Sequence, residues 1–146
     1  MTTEDEENAE QTLEGMGYSA KIVRGMINGL KAKGREGKQV IDTLVLMADA
    51  TKLSQLAEKT YFDAKNGKPK TNADYDKAEE FCGRSIKLLD KAMAAMPSTV
   101  GTLFPLKKRV MMQELDIRYQ RIGVSKSKEE LEAEVDRQLE GPLVQS

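Results

Sequence analysis

Asn72-Ala73-Asp74-Tyr75-Asp76-Lys77-Ala78-Glu79-Glu80-Phe81-Cys82-Gly83-Arg84-Ser85-Ile86-Lys87-Leu88-Leu89-Asp90-Lys91-Ala92-Met93-Ala94-Ala95-Met96 decides the fold class. Within it Tyr75, Ala78, Cys82, Ser85, Leu89, Ala92 and Met96 recur at alternating spacings of three and four, the seam of a helical hairpin or coiled coil. Thr71 or Asn72 offers a cap, carboxylates fill the first turns, lysines follow, and Pro97 terminates the helix. Phe81, Leu88 and Ala95 make a second apolar stripe. A helix apolar on two faces needs two neighbours, supplied either by this chain alone or in part by another subunit.

Apolar residues keep helical spacing in both directions from this helix, with no period-2 strand. Upstream, Thr3 and Glu6 suit a capping box for a first helix carrying Ala9, Leu13 and Met16, broken by Gly15-Met16-Gly17-Tyr18. A second helix starts at Ser19 with Ile22, Val23, Met26, Ile27 and Leu30 on one stripe. Gly25 and Gly29 are expected to permit close backbone approach there, and Gly34 and Gly37 to end the helix. The third helix, from about Lys38 to Asp49, buries Val40, Ile41, Leu44, Val45 and Ala48. Beyond Thr51 the stripe becomes Leu53, Leu56, Ala57, Thr60 and Tyr61, rotated by roughly 150° at about 100° per residue. Either the chain breaks near Ala50 or one long helix buries opposite faces at its two ends. Asn66-Gly67-Lys68-Pro69 is a strong turn.

Downstream, Pro105 suits the start of a helix that runs to about Ile122 and stops at Gly123. Leu106, Val110 and Ile117 face one way on it, and Met112, Leu115, Tyr119 and Ile122 another. Ser127 with Glu130 caps a last helix lined by Leu131, Val135 and Leu139, which Gly141-Pro142 is expected to stop. The pattern predicts an all-α fold, a helical bundle of about six helices with a prominent helical hairpin, coiled-coil-like at 72–96. One domain is expected over 1–146: a three-helix unit with an acidic start (1–49), a hairpin and basic helix (50–122), and an acidic helix and tail (123–146).

The size of 146 residues suits one core. Charged residues reach 32% and aromatics only 5%, so the eight Met take part of the packing role, in the core or along an adaptable groove. A lone Cys82 forms no intramolecular disulfide, and its place on an apolar stripe predicts a buried, inert thiol. The start Met1-Thr2-Thr3-Glu4-Asp5-Glu6-Glu7 is opposite in charge to a secretion leader, and no apolar run reaches membrane-spanning length. The expectation is a cytoplasmic protein, or one of host cytoplasm or virion if viral, without a membrane partner.

With no His and one Cys, the usual zinc, haem and His-dependent nucleophilic sites lack their groups. Asp74-Tyr75-Asp76 opens like a calcium loop, but Glu79 stands where Gly is required and Ser85 where the closing Glu belongs. The run 32–38 ends in Gly37-Lys38 yet lacks the other elements of a phosphate loop. Glu114 and Asp116 are two apart on a helix and project to nearly opposite sides, unsuited to paired acid–base work. No enzyme activity, metal or cofactor is expected.

Charge is segregated. Residues 1–18 carry −6, 19–38 carry +5, 39–96 cancel, 97–128 carry +5 and 129–146 carry −5, hidden behind a net −1. Lys21, Arg24, Lys31, Lys33, Arg35 and Lys38 form the first basic block; Lys107, Lys108, Arg109, Arg118 and Arg121 form the second, beside Tyr119. Such blocks suit the phosphate backbone of nucleic acid without base readout, or attract the chain's own acidic ends. A helix-turn-helix is disfavoured, because the loop between the second and third helices reads as too long. The would-be reading helix also offers only Lys38 as a cation beside Gln39, Asp42 and Thr43.

Leu13-Glu14-Gly15-Met16-Gly17-Tyr18-Ser19 resembles the Met-Gly-Phe/Tyr loop of ubiquitin-associated (UBA) domains, over roughly residues 9–48. The resemblance implies a three-helix protein-interaction unit whose contacts would be Met16, Gly17, Tyr18, Leu44, Leu46 and Met47. The stretch between that loop and the third helix is longer than in that family. The whole-chain plan, a small helical unit, a helical hairpin and a charged tail, is similar to that of phage small terminase subunits. Those are ring-forming, non-catalytic proteins that present viral DNA to a packaging motor. The expected function is therefore a non-catalytic, homo-oligomeric helical assembly protein that contacts nucleic acid, with a UBA-like protein–protein adaptor as the alternative.

Overall fold

Of the two caps the sequence offers, Thr71 and Asn72, it is Thr71 that caps the decisive helix. In the computed structural model, which describes residues 3–62 and 71–144, its hydroxyl accepts from the Asp74 amide and the Asp74 carboxylate accepts from the Thr71 amide. This reciprocal capping box satisfies two otherwise unpaired donors. The helices are α1 (Thr3–Gly15), α2 (Ala20–Ala32), α3 (Arg35–Phe62), α4 (Asn72–Ala95), α5 (Val100–Arg121) and α6 (Lys128–Val144), with a 3-10 turn at Pro97–Thr99. The described residues form an all-helical bundle. The Asn66–Pro69 turn lies outside them.

The seam of α4 finds its neighbours in the same chain; on the second stripe Phe81 and Leu88 are half-buried against the core and Ala95 is exposed. That seam of Ala78, Cys82, Ser85, Leu89 and Ala92 is buried, and α4 packs between α3 and α5. The α3–α4 pair is antiparallel: Gln39 Nε2 donates to the Ala95 carbonyl at 2.9 Å, and buried Ser85 donates to the Ala50 carbonyl at 2.7 Å. Serine on an otherwise apolar seam is thus satisfied rather than orphaned. Cys82 is fully buried, and desolvation first, then the Glu114 and Glu79 carboxylates, push its thiol up to about 12. It is an inert packing group.

Of the two alternatives near Ala50, the continuous helix is the one formed: α3 runs unbroken for 28 residues. Its first half buries Ile41, Leu44 and Met47 while α1 and α2 pack on it, and Ala50, Leu53 and Ala57 are buried further along. A continuous helix can bury opposite faces only when different neighbours cover its two halves, and α1 and α2 supply the extra cover at one end. Leu56, expected on the stripe, is exposed.

Other boundaries move. Ser19 caps α2, but α2 ends at Ala32 and α3 starts at Arg35, so the connection is Lys33 and Gly34 alone rather than a long loop. Gly34 takes φ +65°, the left-handed conformation that makes so short a reversal possible. Close approach occurs not at Gly25 or Gly29, which face open space, but at Gly37, where a Cβ would lie 1.6 Å from the Leu30 carbonyl oxygen. Ile22 is exposed rather than on the buried stripe.

In α5 the helix starts at Val100, which puts Pro105 inside it instead of at its start. Its two faces part as expected: Leu103, Val110 and Ile117 join the main core, and Leu115 packs with Leu131 and Val135 of α6. Ile122 falls beyond the helix and is 70% exposed. Ser127 accepts from the Glu130 amide at 3.2 Å, starting α6, which passes through Gly141-Pro142 to Val144 rather than stopping there. No helix among the described residues is long and apolar enough to cross a membrane.

Candidate nucleic-acid interface

Four of the six cations of the first basic block gather at the reversal between α2 and α3. Lys31 and Lys33 stand at the end of α2, Arg35 and Lys38 in the first turn of α3, and Lys21 and Arg24 on the exposed side of α2. All six are exposed. Lys31 alone has a counter-charge among the described residues, Glu6 of α1 at 2.7 Å. Lys31 and Lys33 suit the negative end of α2, whereas Arg35 and Lys38 sit where the α3 dipole is already positive, offset only by Glu36. That accumulation of like charge favours an anion at the turn.

The packing that holds this turn is apolar and close. Val23 and Ile27 bury α2 against the core, and Gly37 lets the α3 backbone approach the last turn of α2. On the would-be reading face of α3, Gln39 bonds to α4 and buried Thr43 bonds back to the Gln39 carbonyl, while Lys38 and Asp42 are exposed. Two of the four side chains that base readout would use are thereby engaged within the chain.

The second block has a different environment. Lys107 pairs with Asp90 at 2.8 Å, and Arg118 lies 3.2 Å from Glu114 and 4.0 Å from Glu79. Arg121 pairs with Asp76 and approaches Glu79 at 3.7 Å. Lys108 is held between Glu132 at 3.2 Å and Asp136 at 2.8 Å of α6, and these two hydrogen-bonded carboxylates raise its pKa. Only Arg109 is without a counter-charge among the described residues. Four of the five cations therefore tie α5 to α4 or α6. Glu114, whose carboxyl is raised chiefly by desolvation against the opposing Arg118 charge, belongs to the same seam. Asp116 accepts from Gln120 on the next turn, so the two carboxylates do not converge.

Tyr119 beside this block also turns to α6: its hydroxyl donates to Glu134 at 2.6 Å, a bond that raises its pKa, and Lys126 lies 5.3 Å from its ring centroid. The two acidic ends therefore do fold onto basic helices, Glu6 onto Lys31, and Glu132 and Asp136 onto Lys108. Sequence reasoning missed these partners because they lie 24 to 28 positions apart along the chain.

The six protein-interaction candidates are divided. Met16 and Tyr18 are exposed about Gly17, which takes φ +102°. Leu44 and Met47 are buried, and Leu46 is half-buried against the main core. Met16 and Met47 do line one cleft; Tyr18, Leu44 and Leu46 do not join them. Among the described residues no group of acidic, His or Cys side chains could hold a metal ion. Compared with known family models, curated proteins and solved structures, the chain matches none.

Proposed function

We propose that this chain is a non-catalytic helical assembly protein that contacts the phosphate backbone of nucleic acid at the α2–α3 turn, in a role such as viral DNA packaging. One observation carries the proposal: Lys21, Arg24, Lys33, Arg35 and Lys38 are exposed and without counter-charge among the described residues. Arg35 and Lys38 among them add to a positive helix end. The second block stands apart from this turn: Arg109 lines clefts against Ser54 and Glu58 in the later half of α3, and its other cations are engaged within the bundle. Binding to a DNA duplex is expected to fall steeply between low and moderate salt. Absence of DNA and RNA binding even at low salt overturns the proposal.

Self-association is tested separately. Light scattering that finds only the 16.3 kDa chain at high concentration removes the assembly part and leaves a monomeric binder. A second reading, a UBA-like adaptor, is favoured by the exposed Met16 and Tyr18 flanking Gly17. It requires that Met16→Ala with Leu46→Ala abolish capture of a protein partner while nuclease treatment leaves capture intact.

A further inference from the structure

A cleft of about 550 Å3 lies away from the α2–α3 turn, where the end of α1 and its following turn meet the middle of α3 and the first turns of α5. That volume falls within the roughly 300–1,000 Å3 of small-molecule sites. Met16, Met47 and Leu106 give it an apolar lining, and Gly15 leaves part of it open. The two Met side chains are unbranched and polarisable, suited to a flexible chain of methylenes rather than a rigid shape.

One charge stands at this cleft. Lys52 lines it, and its ammonium donates to the side-chain oxygen of buried Asn8, a neutral partner. No carboxylate forms an ion pair with it among the described residues, and an ammonium has two further donors to offer. An apolar cleft with one uncompensated cation is complementary to a molecule with an apolar tail and a single anionic head. We infer that the cleft binds a medium-chain carboxylate, its alkyl chain against Met16, Met47 and Leu106 and its carboxylate on Lys52. This site is independent of the nucleic-acid interface, so either can fail without the other.

The test is calorimetric titration of the full chain with hexanoate, octanoate and decanoate, each below its micelle range. Affinity is expected to rise roughly threefold to fourfold per methylene, the gain for burying a CH2. Decanoate is expected to bind about threefold more tightly than decanol, as befits a solvent-accessible ion pair, and Lys52→Met should erase that preference. Gly15→Leu should abolish binding, because Gly15 lines the cleft, a Cβ there meets no atom within 4 Å and no positive φ is required. Thermal unfolding establishes that this variant is folded, and Thr51→Trp, at another exposed lining position, gives an independent filled cleft. The proposal is overturned if decanoate does not bind, or if decyltrimethylammonium binds as well as decanoate. It is equally overturned if both filled variants retain wild-type affinity, or if light scattering shows a dimer that Gly15→Leu dissociates, which would give the cleft to a second copy.

Discussion

Residues 19–38, which hold α2 and the α2–α3 turn, and residues 97–128, which hold α5, carry equal net charge, +5 each, and the fold treats their cations in opposite ways. In the first block five of six cations are exposed without a counter-charge among the described residues; on α5 four of five are paired with carboxylates of α4, α6 or their own helix. A run of cations therefore measures nothing until the elements packed beside it are known. Like charges crowded on a surface repel one another, whereas the same charges set between acidic helices align those helices. The first arrangement is available to an outside anion, and the second is a set of surface ties, each worth about 0–1 kcal/mol.

The largest effect should come from the backbone contact that presents the exposed block. Gly37→Ala places a methyl against the Leu30 carbonyl and should lower stability by about 3 kcal/mol, seen in chemical denaturation. Gly29→Ala, in open space, should instead be neutral or stabilise by under about 1 kcal/mol. If the two behave alike, the close α2–α3 approach is wrong.

Next in size, Lys33→Ala with Arg35→Ala and Lys38→Ala should weaken DNA binding at least about tenfold and flatten the log–log salt dependence by about 3, near 0.9 per phosphate contact. The matching triple on α5, Lys107→Ala with Lys108→Ala and Arg121→Ala, should leave DNA affinity within about twofold and lower thermal stability. Equal losses of affinity from the two triples would erase the contrast between the blocks.

A smaller change should follow from unmasking. Glu132→Gln with Asp136→Asn frees Lys108 and should raise DNA affinity about twofold to threefold at low salt, an effect that vanishes at moderate salt. Unchanged affinity would make the α6 carboxylates solvating groups only.

The smallest effect is the pH dependence of the α5–α6 contact. Lys108 and Tyr119 both have raised pKa values in the folded chain, so their contribution is fully present below the ordinary values of 10.5 and 10.0. It is lost as pH rises through the folded values. Near-ultraviolet circular dichroism should report loosening of α6 only in that alkaline range, and Tyr119→Phe should remove the tyrosine part. Loosening that begins near neutrality would contradict these assignments.

Much of the fold was legible because helix signals are local. The Thr71 and Ser127 caps, the α4 seam and the two faces of α5 follow from residues three and four apart, and all appear in the structure. Misplaced features depend on what lies across an interface. Gly25, Gly29 and Gly37 look alike along the chain, and only the position of the Leu30 carbonyl distinguishes them. Ile22 and Leu56 fit apolar stripes yet face outward, because no helix covers those positions. Likewise, the cleft beside Lys52 joins three helices whose residues share no local pattern.

By itself the sequence determined an all-helical bundle, the caps and periodicity of its helices, an inert lone cysteine and two equal basic blocks. These rest on backbone propensity, side-chain spacing and composition, which are properties of neighbours along the chain. Tertiary structure alone decided that the α4 seam is covered by α3 and α5 of its own chain, that α3 continues through Ala50, and which basic block is free. Burial and charge pairing are set by distances in space, and Asp76, Asp90, Glu132 and Asp136 reach their cations only once the helices have packed.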